Sequence, residues 1–137
     1  MIKSNGGGAN AILVRTGPIA EHRVARLRRL PERRVVHAVR LTDGTWIANL
    51  HAQVHSEQRA QADIATAVDA VLAWAGRGPL VLGGDFNTRT PNSGELVYVG
   101  GHGVDHVLAR GLAATAPTAV LDRGALSDHA PLLVTLG

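Results

Sequence analysis

The chain has 137 residues, enough for one hydrophobic core but not for two. With 45% hydrophobic and 18% charged residues it is no disordered chain, and with no cysteine it has neither a disulfide framework nor a thiolate metal site. The formal net charge of +3 leans basic, which favours anionic partners over basic ones.

Residues 1–9 read as a flexible leader, because Gly6-Gly7-Gly8 has no side chains to pack. Short runs of strand character follow at Ala11 to Arg15, Arg23 to Leu27, Arg34 to Leu41 and Thr45 to Ala52, punctuated by Pro18, Pro31 and the hairpin signal Asp43-Gly44. They predict a four-stranded meander. From Ser56 to Ala75 the period changes. Ile64, Val68, Val71, Leu72 and Ala75 recur at helical spacing, with Arg59, Asp63, Thr66 and Asp69 assigned to the surface. Ser56 is the expected N-cap, and Gly76-Arg77-Gly78-Pro79 stops a helix of about five turns. Pro79 to Gly83 is short and apolar and reads as a buried strand. Thr88 to Gly103 is Gly-rich and polar and reads as a long loop, with Ser93 to His102 its candidate specificity segment. Val104 to Leu108, Thr118 to Leu121 and Leu132 to Leu136 complete the predicted strands.

No run reaches the roughly 18 apolar residues that span a bilayer, and the first residues lack the apolar centre of a signal peptide, so the chain as given is expected to be soluble. Compartment is left open. Thirteen of the fourteen cations are Arg, and seven of these fall between Arg23 and Arg40. Guanidinium suits phosphate because its planar fork donates two parallel hydrogen bonds. No aromatic residue is interleaved to stack on bases, however, so the cluster reads first as a solvated strand face.

The most informative runs are Gly83-Gly84-Asp85-Phe86-Asn87, at the end of an apolar strand, and Ser127-Asp128-His129-Ala130-Pro131 near the C-terminus. Each sets a carboxylate beside a second polar group where a strand meets a loop, the usual place for rigidly held catalytic residues. Read locally, Asp85-Phe86-Asn87 is also a good Asx turn, and Asp105 could pair with Arg110 instead of serving a site. Hard cations such as Mg²⁺ take carboxylate and water oxygens, and Asp85, Asp105 and Asp128 offer three at strand ends.

These two runs, with Asn49-Leu50-His51 before them and Val104-Asp105-His106-Val107-Leu108 between them, resemble the endonuclease/exonuclease/phosphatase superfamily from about Asn10 to Leu136. The family's earlier motifs, an Asn and a metal-binding Glu, have no counterpart. The resemblance implies an α/β fold, part of a two-layer β-sandwich flanked by helices, with residues 10–137 as its C-terminal part and the N-terminal half missing. It implies a metal-dependent phosphoesterase, of nuclease or phosphatase type, in which water attacks a phosphate ester. Asp85 and Asn87 would activate the water, His129 would stabilise or protonate the phosphoryl oxygens and Asp105 would orient His129. Asn49, His51 and Asn87 would contact the phosphate, and Asp128 with Asp85 would hold Mg²⁺ or Mn²⁺. His22, His37, His55, His102 and His106 are given no role.

The substrate, whether nucleic acid, phospholipid or inositol phosphate, is not legible. Because the metal-binding Glu is unmatched, the chain is expected to be inactive by itself, with a late start the favoured reading and completion by a missing N-terminal half or a second chain the requirement for activity. A non-catalytic remnant or binding module for an anionic partner is the alternative.

Overall fold

The computed structural model describes residues 10–137; the expected leader lies outside them. Three antiparallel strands come first: β1 (Ile19–Arg28), β2 (Arg34–Leu41) and β3 (Trp46–His51). The helix α1 (Glu57–Ala75) leads into β4 (Leu80–Asp85), which pairs parallel with β3. Strands β5 (Val97–His102) and β6 (Asp105–Arg110) then form a hairpin whose second strand pairs antiparallel with β4. The result is a six-stranded sheet in the order β1-β2-β3-β4-β6-β5. A separate pair, β7 (Ala119–Val120) and β8 (Leu132–Leu133), completes the mixed α/β fold. No helix among the described residues is long and apolar enough to cross a membrane.

Local chemistry accounts for the element ends. The β2–β3 turn closes on Asp43-Gly44: Gly44 takes φ 91°, and the Asp43 carboxylate accepts from the Thr45 amide at 2.8 Å. Helix α1 starts where the Ser56 hydroxyl accepts from the Arg59 amide at 3.3 Å, and it ends on Gly76 at φ 56° with its N–H on the Leu72 carbonyl.

Strand alternation sorts the sheet into two faces. Val36, Ala38, Ala48, Leu50, Leu80, Leu82 and Leu108 pack beneath Ala60, Ile64, Ala67, Val68 and Val71 of α1. Each buried leucine there contributes about 2 kcal/mol of transfer free energy. The opposite face carries Val24, His37, Ile47, Asn49, Val81 and Val107, with Val24 55% exposed. The β7–β8 segment approaches this face near β5, where a Cβ on Gly100 would stand 2.2 Å from Thr118 Oγ1 and 2.9 Å from Val134 Cγ2.

Three expectations and one alternative need correction. Ala11 to Arg15 forms no strand: Ile12 and Val14 are half-buried as its alternation suggests, but the edge of β2 on that side is taken by β1. The meander accordingly has three strands. The long loop of Thr88 to Gly103 contains β5, so much of the candidate specificity segment is edge strand, its strand signal diluted by Gly100 and Gly101. Asp63 is buried inside the helix packing, where its carboxylate takes Arg28 Nε at 3.0 Å and the Gln53 amide at 2.9 Å. Finally, Arg110 does not pair with Asp105; its guanidinium donates to the Gly76 and Gly78 carbonyls at 2.7 and 3.0 Å.

The Arg-rich stretch does not present one basic face. Arg23 and Arg40 converge on Glu21, Arg28 binds Asp63 and Arg34 binds Glu32.

Candidate active site

Strand register builds the site. His51 at the end of β3 is the Cα partner of Asp85 at the end of β4, and Asp85 is the partner of Asp105 at the start of β6. Residues paired in this way project from the same face, so these three side chains form one row across the rim of the sheet. Glycine makes the close approach possible. Gly84 holds φ 142°, and a Cβ there would lie 2.0 Å from the Leu50 carbonyl oxygen, so any side chain would push β3 from β4 beside the row.

His129 reaches the row from the segment before β8. Its Nδ1 lies 2.7 Å from Asp105 Oδ2 and its Nε2 3.8 Å from Asp85 Oδ2; His51 Nε2 is 3.5 Å from the same Asp85 oxygen. Since an ionised carboxylate only accepts, His129 Nδ1 carries the proton and Nε2 faces Asp85. Asn87 adjoins them. At φ 50° its backbone N–H donates to Asp85 Oδ1 at 2.8 Å, and its side chain donates to the Ala52 carbonyl at 2.9 Å. The Asx turn foreseen as an alternative is therefore real, and it coexists with the site: one Asp85 oxygen closes the turn while the other faces the histidines.

Sequence similarity now decides the family. The sequence model described as "Endonuclease/Exonuclease/phosphatase family" matches residues 3–129. The chain belongs to this family.

Solved structures agree on the fold at low identity. A mannosyl-6-phosphatase from Bacteroides thetaiotaomicron VPI-5482 is 17% identical with a TM-score of 0.69, covering 88% of this chain and 67% of its own. A functionally unknown conserved protein from Enterococcus faecalis V583 is 14% identical with a TM-score of 0.70, covering 88% and 66%. Truncated TDP2 from Caenorhabditis elegans is 16% identical with a TM-score of 0.61, covering 83% and 64%. This endonuclease/exonuclease/phosphatase family chain thus spans about two thirds of the length of the structures it matches. No curated protein sequence matches it.

The remaining site residues of this family chain lie farther out. Asn49 shares the face of His51 one pleat back from the rim, opposite Gly83. Asp128 is 93% exposed, with its carboxylate 4.0 Å from His129 Nε2. Among the described residues, Asp85, Asp105 and His129 have ligand atoms within 4.8 Å of one another, a group that could hold a metal ion.

The two histidines are tuned in opposite directions. The hydrogen bond to Asp105 raises the pKa of His129 above the ordinary histidine value, against a smaller lowering by burial. Burial lowers that of His51, helped by the Arg34 charge and opposed by Asp85. His129 also divides two cavities, one of about 400 Å³ toward Leu132 and one of about 310 Å³ bordered by Arg89, His102 and Arg123.

Sequence reasoning assigned no role at the site to His106, Thr88 or Glu57, yet Thr88 Oγ1 donates to Glu57 Oε1 at 2.6 Å and the His106 ring lies buried behind the Asn87 turn. The signal available was position alone: His106 follows Asp105, and Thr88 follows Asn87.

Proposed function

We propose that this chain carries the catalytic face of a metal-dependent phosphoesterase of nuclease or phosphatase type. The observation that carries the reading is the row His51, Asp85, Asp105 with His129 hydrogen-bonded to Asp105 at 2.7 Å. A water bound by Asp85 and Asn87 attacks phosphorus, its proton passes to the Asp85 carboxylate and the bond to the leaving oxygen breaks. His129, held through Nδ1–H by Asp105, which favours its charged form, donates as an imidazolium from Nε2–H to the phosphoryl oxygens, where it stabilises the charge developing in the transition state. His51 contacts the same phosphate from the opposite side of Asp85, and Asn49 lines the floor behind it.

The donor set fits a hard divalent cation. Carboxylate oxygens of Asp85 and Asp105, or of Asp128 once its exposed side chain turns inward, suit Mg²⁺ or Mn²⁺. When bound, such an ion would neutralise phosphate charge. With so few carboxylates the 137-residue chain by itself shows little or no turnover, and activity requires cover for the open sheet face from further family sequence or a second chain.

The rival reading, a non-catalytic module holding an anionic partner on the Arg-rich strands, is weakened by the acidic partners that Arg23, Arg28, Arg34 and Arg40, four of those seven arginines, already have. The two separate under one experiment. Hydrolysis of bis(p-nitrophenyl) phosphate that needs Mg²⁺ or Mn²⁺ and disappears on replacing His129 with Ala supports the enzyme; salt-sensitive anion binding with no turnover in any length of chain supports the module.

A further inference from the structure

The turn that presents Asn87 is held from behind by a residue with no assigned role. His106 is 3% exposed, and its Nε2 lies 2.8 Å from the Thr88 carbonyl oxygen. A carbonyl only accepts, so Nε2 carries the proton and donates. Its other nitrogen, Nδ1, is buried with no hydrogen-bond partner. An unpaired buried polar atom is costly, and a phenyl ring would fill the same space against Phe86 and Tyr98 without that cost. What a histidine supplies here, and Phe would not, is the donor to Thr88.

The surroundings are shaped for that ring. A Cβ on Gly101 would lie 2.6 Å from His106 Nδ1 and 2.5 Å from the Tyr98 hydroxyl, so only glycine leaves the imidazole its place. Thr88 is gripped from two sides, by His106 at its carbonyl and by Glu57 at its hydroxyl, at 2.8 and 2.6 Å. Directly before it, Asn87 sits at φ 50°, in the left-handed region that Asn enters more readily than other non-glycine residues but that still costs it free energy relative to extended backbone.

We propose that His106 is a positioning residue that, together with Glu57, clamps Thr88 and so locks Asn87 in the orientation from which its side chain serves the phosphate site. The catalytic half of this inference rests on the proposed phosphoesterase reading; the conformational half does not. Three variants isolate the donor. In His106→Gln the side-chain nitrogen falls the same number of bonds from the backbone as Nε2, whereas in His106→Asn it falls where Nδ1 was and cannot reach Thr88. His106→Phe keeps the packing and removes both nitrogens.

The measurement is amide hydrogen exchange by NMR at Asn87, whose N–H is bonded to Asp85, with Leu82 in the middle of β4 as internal control. We expect Asn87 to exchange about tenfold faster in His106→Asn and His106→Phe, the effect of one lost hydrogen bond, and to return to within about threefold of wild type in His106→Gln. Leu82 should not change. Wherever the protein turns over a phosphodiester, kcat should follow the same order. Unchanged Asn87 exchange in folded His106→Asn would overturn the proposal, as would a His106→Gln variant as fast as His106→Phe, since packing alone would then be at work. Absence of turnover in any length of chain, with Asn87 exchange that still follows the donor, would sink the phosphoesterase reading and leave the clamp standing. Turnover sensitive to His129 with Asn87 unmoved by His106→Asn would do the reverse.

Discussion

Replacing Asp63 with Ala should cost far more than a change on a helix surface, because this carboxylate ties α1 to the end of β1 and to the segment that follows β3. It is 1% exposed and binds Arg28 Nε at 3.0 Å and the Gln53 amide at 2.9 Å. Removing one partner of a fully buried ion pair costs about 3–5 kcal/mol. Arg28 is 24% exposed and can recover water, which reduces that share to about 1–2 kcal/mol. The Gln53 amide is left without its acceptor at about 1–2 kcal/mol more. A total of about 3 kcal/mol is a large part of the roughly 5–15 kcal/mol that holds a domain together, and it lowers Tm by about 12 °C in a chain of this size. Urea unfolding followed by circular dichroism reads the change directly. Asp63→Asn, which keeps one acceptor, should lose about half as much. A loss below about 0.5 kcal/mol in Asp63→Ala, the ordinary size for a surface substitution, would refute the reasoning.

Gly84→Ala should be more disruptive than Gly76→Ala, although both glycines have positive φ: the first meets the Leu50 carbonyl at 2.0 Å and the second meets nothing within 4 Å. Thermal unfolding should show Gly76→Ala losing about 1 kcal/mol and Gly84→Ala several times that, and equal losses would contradict the backbone clash. In an NMR pH titration the His129 imidazole should have its midpoint above about 6.5 and His51 below it. The signs follow from linkage: the stability that His129 adds is complete below about pH 6.5 and fades as pH rises through its folded-state value, while His51 destabilises the fold as pH falls below about 6.5. Asp105→Asn should bring the His129 midpoint down, and a midpoint unmoved by that change would show that Asp105 does not set it.

Legibility in the sequence followed the strength of local signals. The helix was readable because Ser56, the Ile64-Val68-Val71 stripe and Gly76 agree on one element. Asp85 at the end of a strand was readable because an apolar run stops at two glycines, and the rim row follows once the register of β3, β4 and β6 is known. Strand β5 was hidden because Gly100 and Gly101, there to admit Thr118, Val134 and the His106 ring, look like loop residues in isolation. Asp63 was misplaced because helical periodicity assigns an acidic residue to water, and only the tertiary partners Arg28 and Gln53 make its burial tolerable. His106 was passed over because its hydrogen bond joins residues 18 positions apart.

The most direct test of the account is the metal dependence of phosphodiester hydrolysis, measured with bis(p-nitrophenyl) phosphate on the 137-residue chain and on a chain extended to the length of its structural neighbours. The account predicts little or no turnover in the first and clear turnover in the second, requiring Mg²⁺ or Mn²⁺ and abolished by EDTA. His129→Ala should lower kcat by about 10²–10⁴-fold with little change in KM, since that group acts on charge that develops only in the transition state. Hydrolysis that survives EDTA, or a His129→Ala variant that loses affinity while keeping its kcat, would contradict the role given to the Asp85, Asp105 and His129 cluster.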